Sequence, residues 1–504
     1  MPNAQPQLPR VLGPFDAMTV VVGGIIGSGI FLKPAVIAQE LKGSGFALII
    51  GVWIVMGLVT LCGALSLAEL AAMLPHAGGP YVYLREAYGR LPAFLWGWTE
   101  FWVIRTGSVG ALATATAIYL NEVVPMPRGA QEAVAIGIVL ALSAASVVST
   151  RWAAWIQNLT AVAKVGFLAV IIVLPYLYKS PGTNHLFPLW PESYSWSLWK
   201  GLGAAMIAVL WPYDGWINIA PVAEEIRDPQ RNVPLALSLG VLLVIAIYVL
   251  ANVAYHIVLP ADAVASAPGG AVAAEMCQVL LGDVAAKFVA VGVLCSTFGA
   301  ANSNLITGPR IFFAMARDGL LPAAVCKVHD RWRTPANAVL LQATWTVALI
   351  VVVFAWHGKS LDEDPAKTDG PAKTDSPQKL PQSNSLKSKS LDDGPAKSDA
   401  PQGPASPADV FEALTDFVIF GGSIFYAMAV GAVFVFRRTR PAAPRRYRTW
   451  GYPITPAVYL VAFSAALVNL LLQKPLESAA GSLLIAVGAV YYAVVSRRGV
   501  RANG

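Results

Sequence analysis

The segment GGIIGSGIF at 23–31 places five glycines and serines between Gly23 and Gly29, inside an otherwise apolar run. Glycine costs a helix about 1 kcal/mol relative to alanine. Such a cluster marks either close packing of helices through small residues or a helix that breaks. A break frees amide groups at the start of the following half-helix, and these attract anions. A second segment, AAMIAVLWPYDGWINIAPVAEE at 204–225, has a similar character. Pro212 lacks an amide donor and clashes with the preceding turn, Gly215 follows three residues later, and Asp214 sets a carboxylate in the middle of the run. Lys164, in TAVAKVGFLAV at 160–170, is a lone cation in a third apolar run. The chemistry on offer is binding: amides at one half-helix end suit a carboxylate, and free carbonyls at the opposite end suit an ammonium. The GxGxxG reading of a nucleotide fold has no preceding strand to support it.

The elements that must carry these residues are membrane spans. Only 13% of the 504 residues are charged and 56% are hydrophobic, against about 25% charged in a soluble protein. Mean hydropathy is +0.58. Spans need about 20 mostly apolar residues, and twelve candidates recur: 15–38, 44–73, 92–120, 132–149, 155–178, 201–223, 233–259, 285–313, 337–356, 409–436, 454–473 and 479–496. Runs of this length in lipid are helices, because backbone groups must bond internally. The expected fold is an all-α integral membrane protein in which spans 1 and 6 are discontinuous. Matching interruptions in two successive groups of five spans point to a transporter site between them.

Four scattered cysteines (Cys62, Cys277, Cys295, Cys326) and five scattered histidines support no disulfide framework, zinc site or metalloenzyme. No cofactor or metal is expected. The net charge of +7 is accounted for by topology. With the N-terminus inside, twenty Lys and Arg fall in the inner segments and six in the short outer ones, which places both termini in the cytoplasm and removes the need for a nucleic-acid partner. The start of the chain lacks the pattern of a signal peptide. Residues 358–407 contain eight prolines, seven lysines and eight acidic residues, and repeat DGPAKTDSPQ at 369–378 as DGPAKSDAPQ at 393–402. Such a segment cannot offset its ordering entropy, so a disordered extracellular insertion is expected.

Together these stretches resemble the L-type amino-acid transporter family of the amino acid–polyamine–organocation superfamily. GGPYVYLREAYG at 78–89, EEIRDPQRNVPLAL at 224–237 and STFGAANSNLITGPRIFFAMARDGLLP at 296–322 carry the resemblance alongside GGIIGSGIF and WPYDGW. It implies an inverted repeat, with spans 1–5 at 15–178, spans 6–10 at 201–437, and spans 11–12 at 453–496 outside them; 1–14 and 497–504 are cytoplasmic tails. It implies that Gly27, Ser28 and Gly29 bind the substrate carboxylate, that backbone carbonyls of Ile25, Trp211 and Asp214 hold the amine, and that Trp211 gates the site. Ile217 stands where the family often has Asn, so no polar contact is expected there. Lys164 matches a family lysine near the position that holds sodium in coupled relatives. It is expected to bridge the Gly27 break to a hydroxyl of Ser296 or Thr297. Glu69, Glu100 and Arg105 are other charges at or near membrane depth, and structural pairing is expected of Glu69 and Arg105.

The implied function is sodium-independent exchange of amino acids across the plasma membrane, with a proton-coupled amino-acid or polyamine importer as the alternative. A non-transporting scaffold is disfavoured by the retained Gly and Pro breaks, and an enzyme by the lack of convergent catalytic groups. The partners implied are amino acids and the bilayer. In animal relatives a cysteine in the loop between spans 3 and 4 ties on a heavy chain; NEVVPMPRGAQ at 121–131 has none, so no disulfide-linked heavy chain is expected. The insertion generates a test. Replacing 358–407 by a short Gly/Ser linker should leave substrate affinity within about twofold, under about 1 kcal/mol. A loss beyond tenfold in correctly inserted protein would give the segment a role in transport.

Overall fold

The computed structural model describes residues 7–178, 185–362, 407–473 and 475–502. The insertion expected at 358–407 lies outside the described residues over 363–406. The described chain is helical: α1 (Pro14–Ile25), α2 (Gly29–Glu40), α3 (Phe46–Met73), α4 (Pro80–Tyr88), α5 (Arg90–Thr99), α6 (Arg105–Val123), α7 (Arg128–Val148), α8 (Thr150–Leu177), α9 (Trp196–Leu210), α10 (Pro229–Val258), α11 (Ala261–Ala265), α12 (Val272–Leu281), α13 (Ala285–Arg317), α14 (Ala336–Asp362), α15 (Pro407–Thr439), α16 (Ile454–Gln473) and α17 (Pro475–Ala502). A π-helical turn, Glu100–Ile104, joins α5 to α6, and a 3₁₀ stretch, Trp216–Glu225, follows α9.

Among the described residues nine helices are long and apolar enough to cross a membrane, where the sequence suggests twelve spans. The difference has identifiable origins. The sixth run is interrupted after Leu210, so it forms no long continuous helix. Helices α15 and α17 adjoin or include residues whose side chains are not described. Residues 261–281, expected to be a connection, hold the short helices α11 and α12.

Helix α8 shows how the sequence sets a lipid-facing surface. Trp152, Trp155, Leu159, Val162, Val170 and Val173 recur at helical spacing and are exposed. On the opposite face Ala153, Gln157, Ala161, Lys164, Leu168 and Ile171 are buried. The apolar face points outward because lipid, not water, surrounds it. Helix α13 is the central element: every residue from Gly299 to Ala316 is buried. It packs on α1, α6, α8 and α14, and α1 is further held by α8 and α10.

Ion pairs knit the ends assigned to the cytoplasm. Arg310 donates to Glu225 at 2.7 Å and to the Thr150 hydroxyl at 3.0 Å, with the arginine and glutamate fully buried. Glu69, beside α15 and the connection to α16, accepts from Arg437 at 2.8 Å and pairs with Arg445 at 3.1 Å. Arg440 and Arg85 hold the Glu86 carboxyl below its ordinary range, through the hydrogen bond from Arg440 above all.

Removing one partner of a buried pair strands the other charge, at a cost of about 3–5 kcal/mol. Arg310→Ala should therefore lower the thermal unfolding midpoint of the detergent-purified protein sharply. Lys327→Ala, on an exposed loop, should leave it unchanged. Equal midpoints for the two variants would contradict the structural role of the pair.

Candidate functional site: two helix breaks around one cavity

The first break lies between α1 and α2. Ile26 is extended (φ −72°, ψ 100°) and α2 begins at Gly29, so the first amides of α2 have no intrahelical acceptor. The carbonyls freed on the other side of the break are taken from behind. The Lys164 ammonium donates to the carbonyls of Gly23 (2.9 Å), Ile26 (2.6 Å) and Ser296 (3.1 Å), using all three of its donors. The Ser296 hydroxyl donates to the Gly27 carbonyl at 2.9 Å.

The second break spans 211–215. Asp214 donates its amide to the Trp211 carbonyl at 3.1 Å. Gly215 sits at φ +100°, a region open mainly to glycine. The two breaks touch. A Cβ on Gly215 would come within 2.7 Å of the Gly24 carbonyl carbon, and one on Gly29 within 2.7 Å of Pro212 Cα. Tyr248 on α10 ties them together, its hydroxyl lying 2.9 Å from the Pro212 carbonyl and 3.2 Å from that of Ile25.

Ile25, Gly27, Ser28, Gly29, Trp211 and Asp214 all line one cavity. The Ser28 hydroxyl and one Asp214 carboxylate oxygen are buried there without a hydrogen-bond partner; the Tyr426 hydroxyl and the Gly215 amide engage Asp214. Such orphaned polar atoms call for an explanation, and ligand contact is one.

Several expectations need correction. Lys164 reaches carbonyls at the break as expected, those of Gly23 and Ile26, but at Ser296 it reaches the carbonyl rather than the hydroxyl. Thr297 does not reach Lys164 through its hydroxyl, which bonds Thr116 at 2.8 Å and the carbonyl of Val293 on its own helix. Of the glycines at the two breaks, Gly215 has a positive φ whereas Gly27 and Gly29 do not. The space at Gly27 is ample, since a Cβ added there would lie 3.9 Å from Ala300 Cβ.

Sequence reasoning did not place Arg105, Ser108, Asn218, Asn304 or Tyr426 at the cavity. Arg105 is 2% exposed and pairs with Glu100 at 2.7 Å. Five residues apart, the two would point to different sides of an ordinary α-helix, and the π-helical turn brings them together: the Arg105 amide bonds the Glu100 carbonyl. Ile217 is apolar as expected, but Asn218 beside it accepts from Arg105 at 2.7 Å.

A strap closes the opposite end of the 3₁₀ stretch. Leu12 pairs as an isolated parallel bridge with Ile226, through bonds of 2.9 Å to the Glu225 carbonyl and 2.8 Å from the Arg227 amide. Glu224 gathers the Leu8 amide (2.9 Å), the Ala77 amide (2.8 Å) and Arg317 (2.9 Å).

Comparisons with known proteins agree with this architecture. The family model described as amino acid permease matches residues 12–495. The chain is 29% identical to the serine/threonine exchanger SteT of Bacillus subtilis over 494 residues, 97% of this chain and 98% of that protein. It is 34% identical to the human large neutral amino acids transporter small subunit 2 over 353 residues, 68% of this chain and 64% of the relative. It is 32% identical to the human b(0,+)-type amino acid transporter 1 over 341 residues, 66% of this chain and 68% of the relative. The chain belongs to the amino acid permease family and is a membrane transporter rather than an enzyme.

The packed glycines give a graded test. Gly215→Ala and Gly29→Val should each destabilise the protein by at least about 2 kcal/mol, through backbone strain or overpacking. Gly27→Ala should insert and unfold as the parent does. Thermal melts of the three variants in detergent decide it, and a Gly215→Ala variant as stable as the parent would show that the two breaks do not need this close approach.

Proposed function

We propose that this permease moves amino acids across the plasma membrane by sodium-independent, alternating-access exchange. The observation that carries the reading is the meeting of two helix breaks at one cavity, lined by Ile25, Gly27, Ser28, Gly29, Trp211 and Asp214. In this reading the amides at Gly27, Ser28 and Gly29 receive the carboxylate. Carbonyls of Ile25, Trp211 and Asp214 receive the ammonium; Tyr248 already bonds Ile25, but a carbonyl has two lone pairs. Trp211 closes over the bound substrate. The relatives, a serine/threonine exchanger and two amino acid transporters, support the same substrate class.

The finer architecture belongs to the proposal too. Of twelve spans, ten form two inverted repeats of five at 15–178 and 201–437, followed by spans 11 and 12 at 453–496, with both termini cytoplasmic. The strap at Leu8–Leu12 and the Glu224 cluster then seal the cytoplasmic side, and must part when the site opens inward. The subunit works without a disulfide-linked heavy chain, which the cysteine-free 121–131 loop supports.

Lys164 supports sodium independence. Its ammonium already bonds three carbonyls around the break, supplying the bridge an ion would make and repelling a cation nearby. The same buried lysine is what favours the second reading, a proton-coupled importer of amino acids or polyamines, since loss of its proton would release one of those bonds.

Uptake of labelled amino acids into liposomes holding only the purified chain tests the proposal. Uptake should require internal amino acid and persist when choline replaces sodium. Lys164→Ala should lower it at least tenfold, without rescue by sodium. Strict sodium dependence contradicts the reading, as does a requirement for an added protein. Uphill uptake driven by a pH gradient into empty liposomes favours the importer.

A further inference from the structure

We propose that the part of the cavity lined by Arg105, Ser108 and Asn218 is a side-chain subsite for an uncharged, hydrogen-bonding group, so that the substrate is a polar amino acid such as serine. The inference rests on the transport reading above and deepens it.

Arg105 is the positioning residue. Its Nε and Nη2 donate to the two oxygens of Glu100, at 2.7 and 3.0 Å. Its Nη1 lies 2.7 Å from Asn218 Oδ1, 2.8 Å from Asn304 Oδ1 and 3.2 Å from the Thr307 hydroxyl. A guanidinium has no acceptor, so both asparagines must turn their oxygens toward it. The consequence differs between the two. Asn304 spends its amide on the Ala300 carbonyl at 3.0 Å. For Asn218 no acceptor is found among the described residues, and its amide nitrogen is absent from the sealed, partnerless atoms. It therefore opens into the cavity it lines, with two hydrogens to give. Ser108 lines the same cavity and its hydroxyl likewise makes no bond among the described residues, so it adds a group that both donates and accepts.

Charge and hydrogen bonding narrow the class. Glu100 neutralises Arg105, so the pair carries no net charge to draw in either an acidic or a basic side chain. A hydroxyl or carboxamide satisfies the Asn218 donors. An alkyl or aromatic side chain would leave them buried and unmet, the situation in which polar sites discriminate best.

The test uses the full chain in liposomes loaded with unlabelled substrate. Serine, threonine and asparagine should compete with labelled serine at least tenfold better than leucine, phenylalanine or lysine. Ser108 is outside the Arg105 network, so Ser108→Ala should fold normally. It should raise KM for serine several-fold while leaving KM for alanine, which lacks the hydroxyl, unchanged. Asn218→Leu should lower the preference for serine over leucine at least tenfold. Arg105→Lys should lose serine–alanine discrimination while still transporting alanine, a signature that general misfolding would not produce. A parent protein that prefers leucine or phenylalanine to serine overturns the proposal, as does undiminished serine preference in both the Ser108 and Asn218 variants. Absence of uptake for every amino acid would instead overturn the transport reading itself.

Discussion

A helix broken inside a bilayer releases backbone groups that water cannot reach, and each must find a partner in the protein. The structure depends on this constraint. Breaks at 26–28 and 211–215 release carbonyls that Lys164, Ser296 and Tyr248 engage from α8, α13 and α10. Those three side chains hold the break open as firmly as hydrogen bonds hold a helix closed. The polar groups left facing the cavity are then available to a substrate.

The same constraint explains why the charges are paired rather than excluded. Arg105 with Glu100 and Arg310 with Glu225 are buried pairs with further neutral hydrogen bonds. Additional partners are what make such pairs tolerable in a low-dielectric interior. Their sites differ. The first pair sits against the cavity and orients its asparagine. The second joins α13 to the end of the 3₁₀ stretch near the strap. The cavity and the strap thus share α13 and the segment 216–225 as common walls.

The features legible in the sequence were those with local punctuation. Glycines and serines at 23–29 and Pro212 with Gly215 marked both breaks, because only such residues interrupt a long apolar run without ending it. The depth of Lys164 in its run indicated a buried tether, although its acceptors could not be read: carbonyls have no residue identity. What escaped was set by backbone register and distance along the chain. Glu100 and Arg105 meet through a π-helical turn that no residue announces. Asn218 reaches Arg105 because the second half of the broken span is 3₁₀, which shifts the angular position of each side chain. The bridge between Leu12 and Ile226 joins two segments far apart in sequence, each without a strand-like pattern.

The central claim is that backbone groups at the two breaks hold an amino acid by its two charged ends. Binding of labelled serine to the purified chain, competed by serine, serine methyl ester and N-acetylserine, tests it directly. The ester removes the carboxylate charge that the amides at Gly27–Gly29 should recognise, and acetylation removes the ammonium that the carbonyls should hold. The account predicts competition by serine and at least a hundredfold weaker competition by each masked form, which is about 2.7 kcal/mol. Equal competition by either masked form would mean that the corresponding break does not hold that end of the substrate.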